Sequence, residues 1–462
     1  MIRALWTGFA ALALCVPCAR AGEIDVRAPD NNAPAQKWFQ TESKGGLRYG
    51  WKVPKRYDGK TACNLTVILH GTGLDWRWGP ANNPIDVFRP DDIVVSVDGT
   101  SPGQGTTRLF LGAKDDVEAF AAFLTELRGN FAVKDVFLYG HSQGGFFVVY
   151  FAGEHPDLVS GVVAHASGSW MNSKTNAPVK KVAIAFMHGT LDPVVPYRQS
   201  RGSRDAYAKE GFTRLLLRRL QNYNHWPNAV RANECLDWCE GITTDDPEAA
   251  LAAAERIASP KPADVYQWVT VAGFSAARAV LRRFDGKGPD ALESVTPKLS
   301  AAAEALIKKL EDQGSKHVKA LEKHLSSKKD LKLGGDWLGH LIALREDFRG
   351  VESVEAYMKK IGYDETRTAQ QKSADLIFKV WYTANDPKKI FETVVDRIGD
   401  AFLVEGYPNE LGEKMKQWKA DAKKLKLDDN AVKKFSDFAD WTSGWEKGSA
   451  AYESLWKEWK GP

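Results

Sequence analysis

Five residues, Gly140-His141-Ser142-Gln143-Gly144, constrain this chain more than any other stretch because of what flanks them. Residues 136–139 (VFLY) form a short apolar β-former, and residues 146–152 (FFVVYFA) an apolar stretch that reads as helix. A serine between glycines at a strand-to-helix junction implies a very tight turn, because Cβ atoms at the glycine positions would meet neighbouring backbone. Such a turn lifts the Ser142 hydroxyl past the carboxyl end of the strand. It also sets the hydroxyl at a helix N-terminus, where developing negative charge is stabilised.

The surrounding sequence supplies the sheet that such a turn needs. Residues 65–70 (LTVILH), 93–98 (IVVSVD), 136–140, 161–165 (GVVAH), 182–188 (VAIAFMH) and 213–220 (TRLLLRRL) are apolar and rich in β-formers. Amphipathic helical stretches at 115–128 and 197–209 lie between them. Nearly unbroken apolar strands alternating with helices imply a parallel sheet covered on both faces. Residues 48–54 (RYGWKVP) add an antiparallel strand at its edge.

After about Thr244 the character changes. Leu299, Ala303, Leu306, Ile307, Leu310, Val318, Leu321 and Leu325 follow helical spacing, with Lys, Glu and Asp on the other face. Similar stretches recur at 354–361, 374–382, 390–402 and 431–459, separated by breakers such as Asp386-Pro387 and Tyr407-Pro408. Residues 251–462 hold 36 Lys and Arg and 33 Asp and Glu, against 27 and 26 in the first 250. The chain therefore reads as an α/β domain over 22–244 and an all-helical region over 245–462. The net charge of +4 stays small in both parts and gives no nucleic acid or anionic surface as main partner. The helical region carries no catalytic motif, and its His317, His324 and His340 read as surface or packing residues. Oligomerisation, surface attachment and polymer binding are the roles open to it.

The N-terminus has Arg3, an apolar run over 4–16 and Ala19-Arg20-Ala21. This is the pattern of a secretory signal peptide over 1–21, cleaved before Gly22, and it predicts a secreted or periplasmic protein. The run is shorter than the roughly 20 residues a bilayer needs, and no other segment is long and apolar enough to span one. Leu14 and Pro17 precede Cys15 and Cys18, where a lipoprotein signal has a small residue. Cys63, Cys235 and Cys239 remain; the last two flank an acidic, aromatic loop (Leu236-Asp237-Trp238) that a small disulfide ring could close, and a pairing with Cys63 is the alternative. No His–Cys spacing resembles a zinc site, and the Gly-rich loop 99–107 (GTSPGQGTT) lacks the Lys of a phosphate cradle. No metal or organic cofactor is implied.

A serine at its free pKa is a poor nucleophile, so Ser142 needs a base and an acid to orient it. Asp192 lies just past the strand at 182–188, in His188-Gly189-Thr190-Leu191-Asp192-Pro193, and His225 just past the last strand. Asp205 and Asp237 are the rival acids. His70 and His188 end strands before glycine and read as structural or loop-shaping, while His141, His155 and His165 lie too early in the chain. For the oxyanion, the Gln143 backbone N–H is one donor. The loop His70-Gly71-Thr72-Gly73 offers a second, with Thr72 first choice and Gly71 or Gly73 the alternates. Trp76 and Trp78 after that loop, and Trp226 beside His225, are candidates for lining a substrate pocket or simply for packing.

These stretches carry a resemblance. Residues 48–225 resemble the α/β-hydrolase superfamily, and within it the secreted polyhydroxybutyrate depolymerase and feruloyl esterase group. The matching segments are YGWKVPKRY (49–57), LHGTG (69–73), VDGT (97–100), Asp116 before a helix, GHSQGG at the elbow, Ser167-Gly168 and HGTLDPVVPY (188–197). The resemblance implies the chain order Ser, acid, His, which Ser142, Asp192 and His225 satisfy, and carboxylic-ester hydrolysis through an acyl-enzyme. Gln143 departs from the small residue common after the serine in this group, and His141 precedes the serine. A serine peptidase of the prolyl-oligopeptidase type shares this order and elbow, and an inert hydrolase-fold binding protein is the reading outside enzymes. The helical half resembles no family we can name.

Overall fold

The structure is a computed structural model describing residues 24–30, 33–83, 88–105, 107–170, 173, 181–190, 192, 194–220, 223–259, 273–287, 290–326, 341–342, 344–346, 348–364, 367–368, 371–372, 375 and 429. Residues 1–21, expected to be a signal peptide, and the helical stretches expected at 390–402 and 431–459, like nearly all of 374–382, lie outside these residues. The described residues divide into two compact units. The first holds those up to 165 with those in 169–184 and 227–233, and the second those in 166–168, in 185–226 and from 234 onward.

The first unit is built on strands β1 (Asp25–Val26), β2 (Phe39–Glu42), β3 (Arg48–Lys52), β4 (Cys63–Leu69), β5 (Ile93–Val97), β8 (Val133–His141) and β9 (Gly161–His165). Their order across the sheet is β1-β2-β3-β5-β4-β8-β9. A two-residue pair, β6 (Ser101–Pro102) and β7 (Arg108–Leu109), forms a small ribbon outside it. β4 runs parallel to both β5 and β8, and β8 parallel to β9. Parallel strands need covering on both faces, and Leu65, Val67, Ile68, Leu69, Val136, Phe137, Leu138 and Tyr139 are all fully buried. Helices α1 (Trp78–Asn82), α2 (Lys114–Asn130) and α3 (Gln143–Glu154) belong to this unit, and α2 buries Val117, Phe120, Phe123, Leu124 and Leu127.

One expectation is corrected at the sheet margin. β3 is antiparallel to β5 as expected, but it is not the edge, because β2 pairs antiparallel on its other side and β1 lies beyond β2. Tyr49 and Trp51 are buried, at 1% and 0% exposure, and need that cover. β1 and β2, two and four residues long and partly polar, carry too little alternation to be read from sequence.

β10 (Ala183–Gly189) begins in the first unit, where Ala183 N–H donates to Ser160 O at 3.1 Å, and ends in the second. There β11 (Leu215–Leu220) is its neighbour, tied to the turn after β10 by Thr190 N–H donating to Leu220 O at 3.0 Å. The same unit holds α4 (Arg198–Lys209), α6 (Pro247–Ala258), α7 (Phe274–Leu281), α8 (Pro297–Ser326) and α9 (Glu352–Lys360). The chain is thus a mostly parallel sheet with helices, and further helices follow it.

The loop expected around Leu236–Trp238 is instead the middle of a helix, α5 (Ala229–Thr243). Cys235 and Cys239 sit one turn apart on it, both buried and both thiols, so no ring closes between them. This helix lacks a polar stripe because Leu236 and Trp238 are buried beside Asp237 and Glu234, whose carboxylates meet Arg256 and Arg218.

Candidate active site

Ser142 sits between β8 and α3 with φ 52° and ψ −116°, a conformation that L-residues rarely adopt. Its neighbours impose it. A Cβ on Gly140 would lie 2.2 Å from Gly144 O, and one on Gly144 would lie 2.6 Å from Leu69 O in β4. Ser142 N–H donates to His165 O at 2.9 Å, which pins the turn against the end of β9. The turn inferred from the flanking glycines is therefore present.

Gln143 begins α3, so its backbone N–H is among the first-turn donors that have no acceptor within the helix. Its side chain is turned inward, where Oε1 accepts from Phe110 N–H at 3.3 Å. That inward amide explains how a large residue fits where the resembling group has a small one. The loop after β4 comes up against the same turn, since a Cβ on Gly71 would be 3.1 Å from Ser142 Cβ. His70 locks this loop: its Nδ1–H donates to Gly71 O at 2.8 Å, and its Nε2 accepts from Gly99 N–H at 3.1 Å. Burial pushes the His70 imidazole pKa down, consistent with this neutral tautomer. Gly73 has φ 78° and Thr72 is exposed.

In the second unit, Asp192 and His225 are brought together. His225 Nδ1 donates to Asp192 Oδ2 at 2.7 Å. Asp192 is fully buried, and its Oδ1 accepts the backbone N–H groups of Val194 at 2.8 Å and Val195 at 2.9 Å. Burial alone would push this carboxyl up. The adjoining His225 and His188 outweigh it and hold the group well below the usual carboxylate range. Asp192 is thus an ionised acceptor with both oxygens engaged.

The rival acids are placed otherwise. Asp205 is exposed on α4 and paired with Arg201 and Arg204, while Asp237 is paired with Arg256 at 2.8 Å. His141 is stacked between Trp78, at 4.9 Å, and His165, at 5.0 Å. Trp76 and Trp78 are buried, at 4% and 3% exposure, and Trp76 packs against Gly50 of β3. Trp226 is 39% exposed, with its ring edge-on to His225 at 6.4 Å. His188, which reads from sequence as structural or loop-shaping, also reaches the acid: its Nε2 lies 3.1 Å from Asp192 Oδ2. The His-x3-Asp spacing across a loop holds no signal for that contact.

Among the described residues, no group of three or more His, Cys, Asp or Glu side chains is placed to hold a metal ion. Among the same residues, no helix is long and apolar enough to cross a membrane.

Residues 119–226 match the model of a phospholipase/carboxylesterase family, and this segment contains Ser142, Asp192 and His225. Solved structures that resemble the chain include a CE1 ferulic acid esterase from Anaeromyces mucronatus in complex with ferulic acid, at 18% identity and TM-score 0.33 over 42% of this chain and 86% of that one. A carboxylesterase from Mesorhizobium loti is similar at 15% identity and TM-score 0.35, over 46% of this chain and 96% of that one. A thermostable esterase is similar at 18% identity and TM-score 0.32, over 40% of this chain and 54% of that one. No curated protein sequence matches significantly. The likeness to a phospholipase/carboxylesterase family thus extends over residues 119–226, less than half of the chain.

Proposed function

We propose that this chain is an exported serine hydrolase that cleaves carboxylic esters through a Ser142–His225–Asp192 triad. The observation that carries the reading is the 2.7 Å bond from His225 Nδ1 to Asp192 Oδ2. With Nδ1–H committed to the carboxylate, the other ring nitrogen, Nε2, is left with its lone pair, which is the form a general base needs.

In the first half-reaction His225 Nε2 takes the hydroxyl proton as Ser142 Oγ attacks the ester carbonyl carbon. The resulting imidazolium is stabilised by Asp192. The tetrahedral oxyanion is met by the Gln143 backbone N–H and by one from the Gly71–Gly73 loop, with Thr72 the proposed donor. His225 then protonates the leaving alkoxide, and the acyl group remains on Ser142. Water, deprotonated by the same histidine, attacks the acyl-enzyme and releases the acid.

The substrate class follows from the sequence resemblance: polyester chains, or feruloyl and acetyl groups on sugars. Trp226, exposed beside His225, is suited to stacking on an aromatic acyl group or a sugar ring. Export rests on the pattern of residues 1–21. The experiment is hydrolysis of short p-nitrophenyl esters by the wild type and by Ser142→Ala, followed by a profile across feruloyl, acetyl-sugar and hydroxybutyrate substrates. A Ser142→Ala variant with full ester activity would overturn the triad. Cleavage of short peptide amides with inert esters would replace the reaction class.

A further inference from the structure

His188, fully buried at the end of β10, is not used by the mechanism above. Its Nε2 lies 2.9 Å from Val195 O and 3.1 Å from Asp192 Oδ2. A carbonyl and an ionised carboxylate only accept, so Nε2 carries a hydrogen. Its Nδ1 lies 2.7 Å from Ser200 Oγ. The Ser200 hydroxyl has one hydrogen, and it is committed to Ser167 O, 2.6 Å away. Turning that hydrogen toward His188 would leave two oxygens facing each other at 2.6 Å with nothing between them. Ser200 therefore offers Nδ1 a lone pair, and Nδ1 carries a hydrogen as well.

The titratable and charged groups facing this ring come from every element around it. Asp192 comes from the loop after β10, and Tyr197 lies edge-on at 6.0 Å just before α4. Arg219 of β11 lies beyond that ring, 5.6 Å from the Tyr197 centroid. His225 faces the same Asp192 oxygen.

We infer that His188 is a doubly protonated positioning residue, which holds Asp192 ionised and oriented and offsets the negative charge that His225 meets. The inference rests on the triad reading above and adds to it a second imidazole on the acid. A lone buried carboxylate strongly favours an imidazolium facing it. A carboxylate already facing a cation does so less.

His188→Gln keeps a donor toward Val195 and Asp192 but removes the cation. The acid limb of its kcat/KM profile is expected to move up by about one pH unit, with KM within about twofold of wild type. A profile superimposable on the wild type overturns the inference. A second measurement does not depend on activity: 15N-histidine NMR of the intact protein at neutral pH. One buried histidine with two slowly exchanging ring N–H signals is expected, and finding none overturns the inference even if His188→Gln does not fold. Should Ser142→Ala retain full activity, the triad reading fails, yet the spectrum still decides the protons on His188.

Discussion

Replacing Asp192 by Asn changes one atom and should remove nearly all activity. The direction follows from where the two carboxylate oxygens point. Oδ1 receives the Val194 and Val195 N–H groups at 2.8 and 2.9 Å, so an Asn must place its carbonyl oxygen there. Its NH2 group then faces His225 Nδ1 across the 2.7 Å contact. Two hydrogens cannot share that gap, so Nδ1 must present its lone pair and the ring proton moves to Nε2. The nitrogen proposed to act as the base is then blocked. A wrong tautomer of this kind lowers kcat by about 10⁴-fold, equal to about 5.4 kcal/mol of transition-state stabilisation. The assay is kcat on p-nitrophenyl acetate at neutral pH, with a thermal melt to show that the variant folds. Asp205→Asn serves as control; its carboxylate is exposed and paired only with Arg201 and Arg204, so activity should stay within about twofold. A folded Asp192→Asn within tenfold of wild type would refute the reasoning.

The other predictions follow from packing and burial. Gly144→Ala puts a methyl group 2.6 Å from Leu69 O and 2.7 Å from His70 O, and should cost about 3 kcal/mol or more in urea unfolding. Gly202→Ala, on α4 with open space around its Cα, should be neutral or stabilising by about 1 kcal/mol; equal effects of the two would contradict the elbow geometry. His317 is buried against Phe348 and pushed down by burial to about 4. The unfolded chain therefore takes up a proton near pH 6.5 that the fold refuses until about pH 4. Stability should fall across that window by up to about 3 kcal/mol, and His317→Leu should flatten the decline in pH-dependent denaturation. A chain ending at Thr244 loses Arg283, whose guanidinium donates to Gly241 O at 2.6 Å and Thr244 O at 2.7 Å, and Val280, which packs on Gly241. It should unfold at markedly lower urea concentration; an unchanged midpoint would show that these contacts contribute nothing to stability.

How much of this was legible in sequence depends on how each element meets water. The central strands were readable because residues such as Val67, Ile68, Val94 and Val95 are buried on both faces and leave unbroken apolar runs. α8 and α9 were readable for the opposite reason, one wet face and one dry. α5 was not, because its polar residues Glu234 and Asp237 are as buried as its apolar ones and hide the helical period. In the candidate site, Ser142 was marked by glycines that strain demands, whereas Asp192 and His225 were marked only by lying just past strands. The pairing of His188 with Asp192 was invisible, since it depends on the fold of the loop from Gly189 to Val195 and on Ser200 of α4 accepting from the other side.

The central claim is that Ser142 is an activated nucleophile. The most direct measurement is labelling of the folded protein by a fluorophosphonate probe, with the modified residue located by mass spectrometry. The account predicts one adduct on Ser142, absent from heat-denatured protein and slowed by at least about 10³-fold in His225→Ala. No adduct on folded protein, or labelling of Ser142 at an undiminished rate without His225, would contradict it.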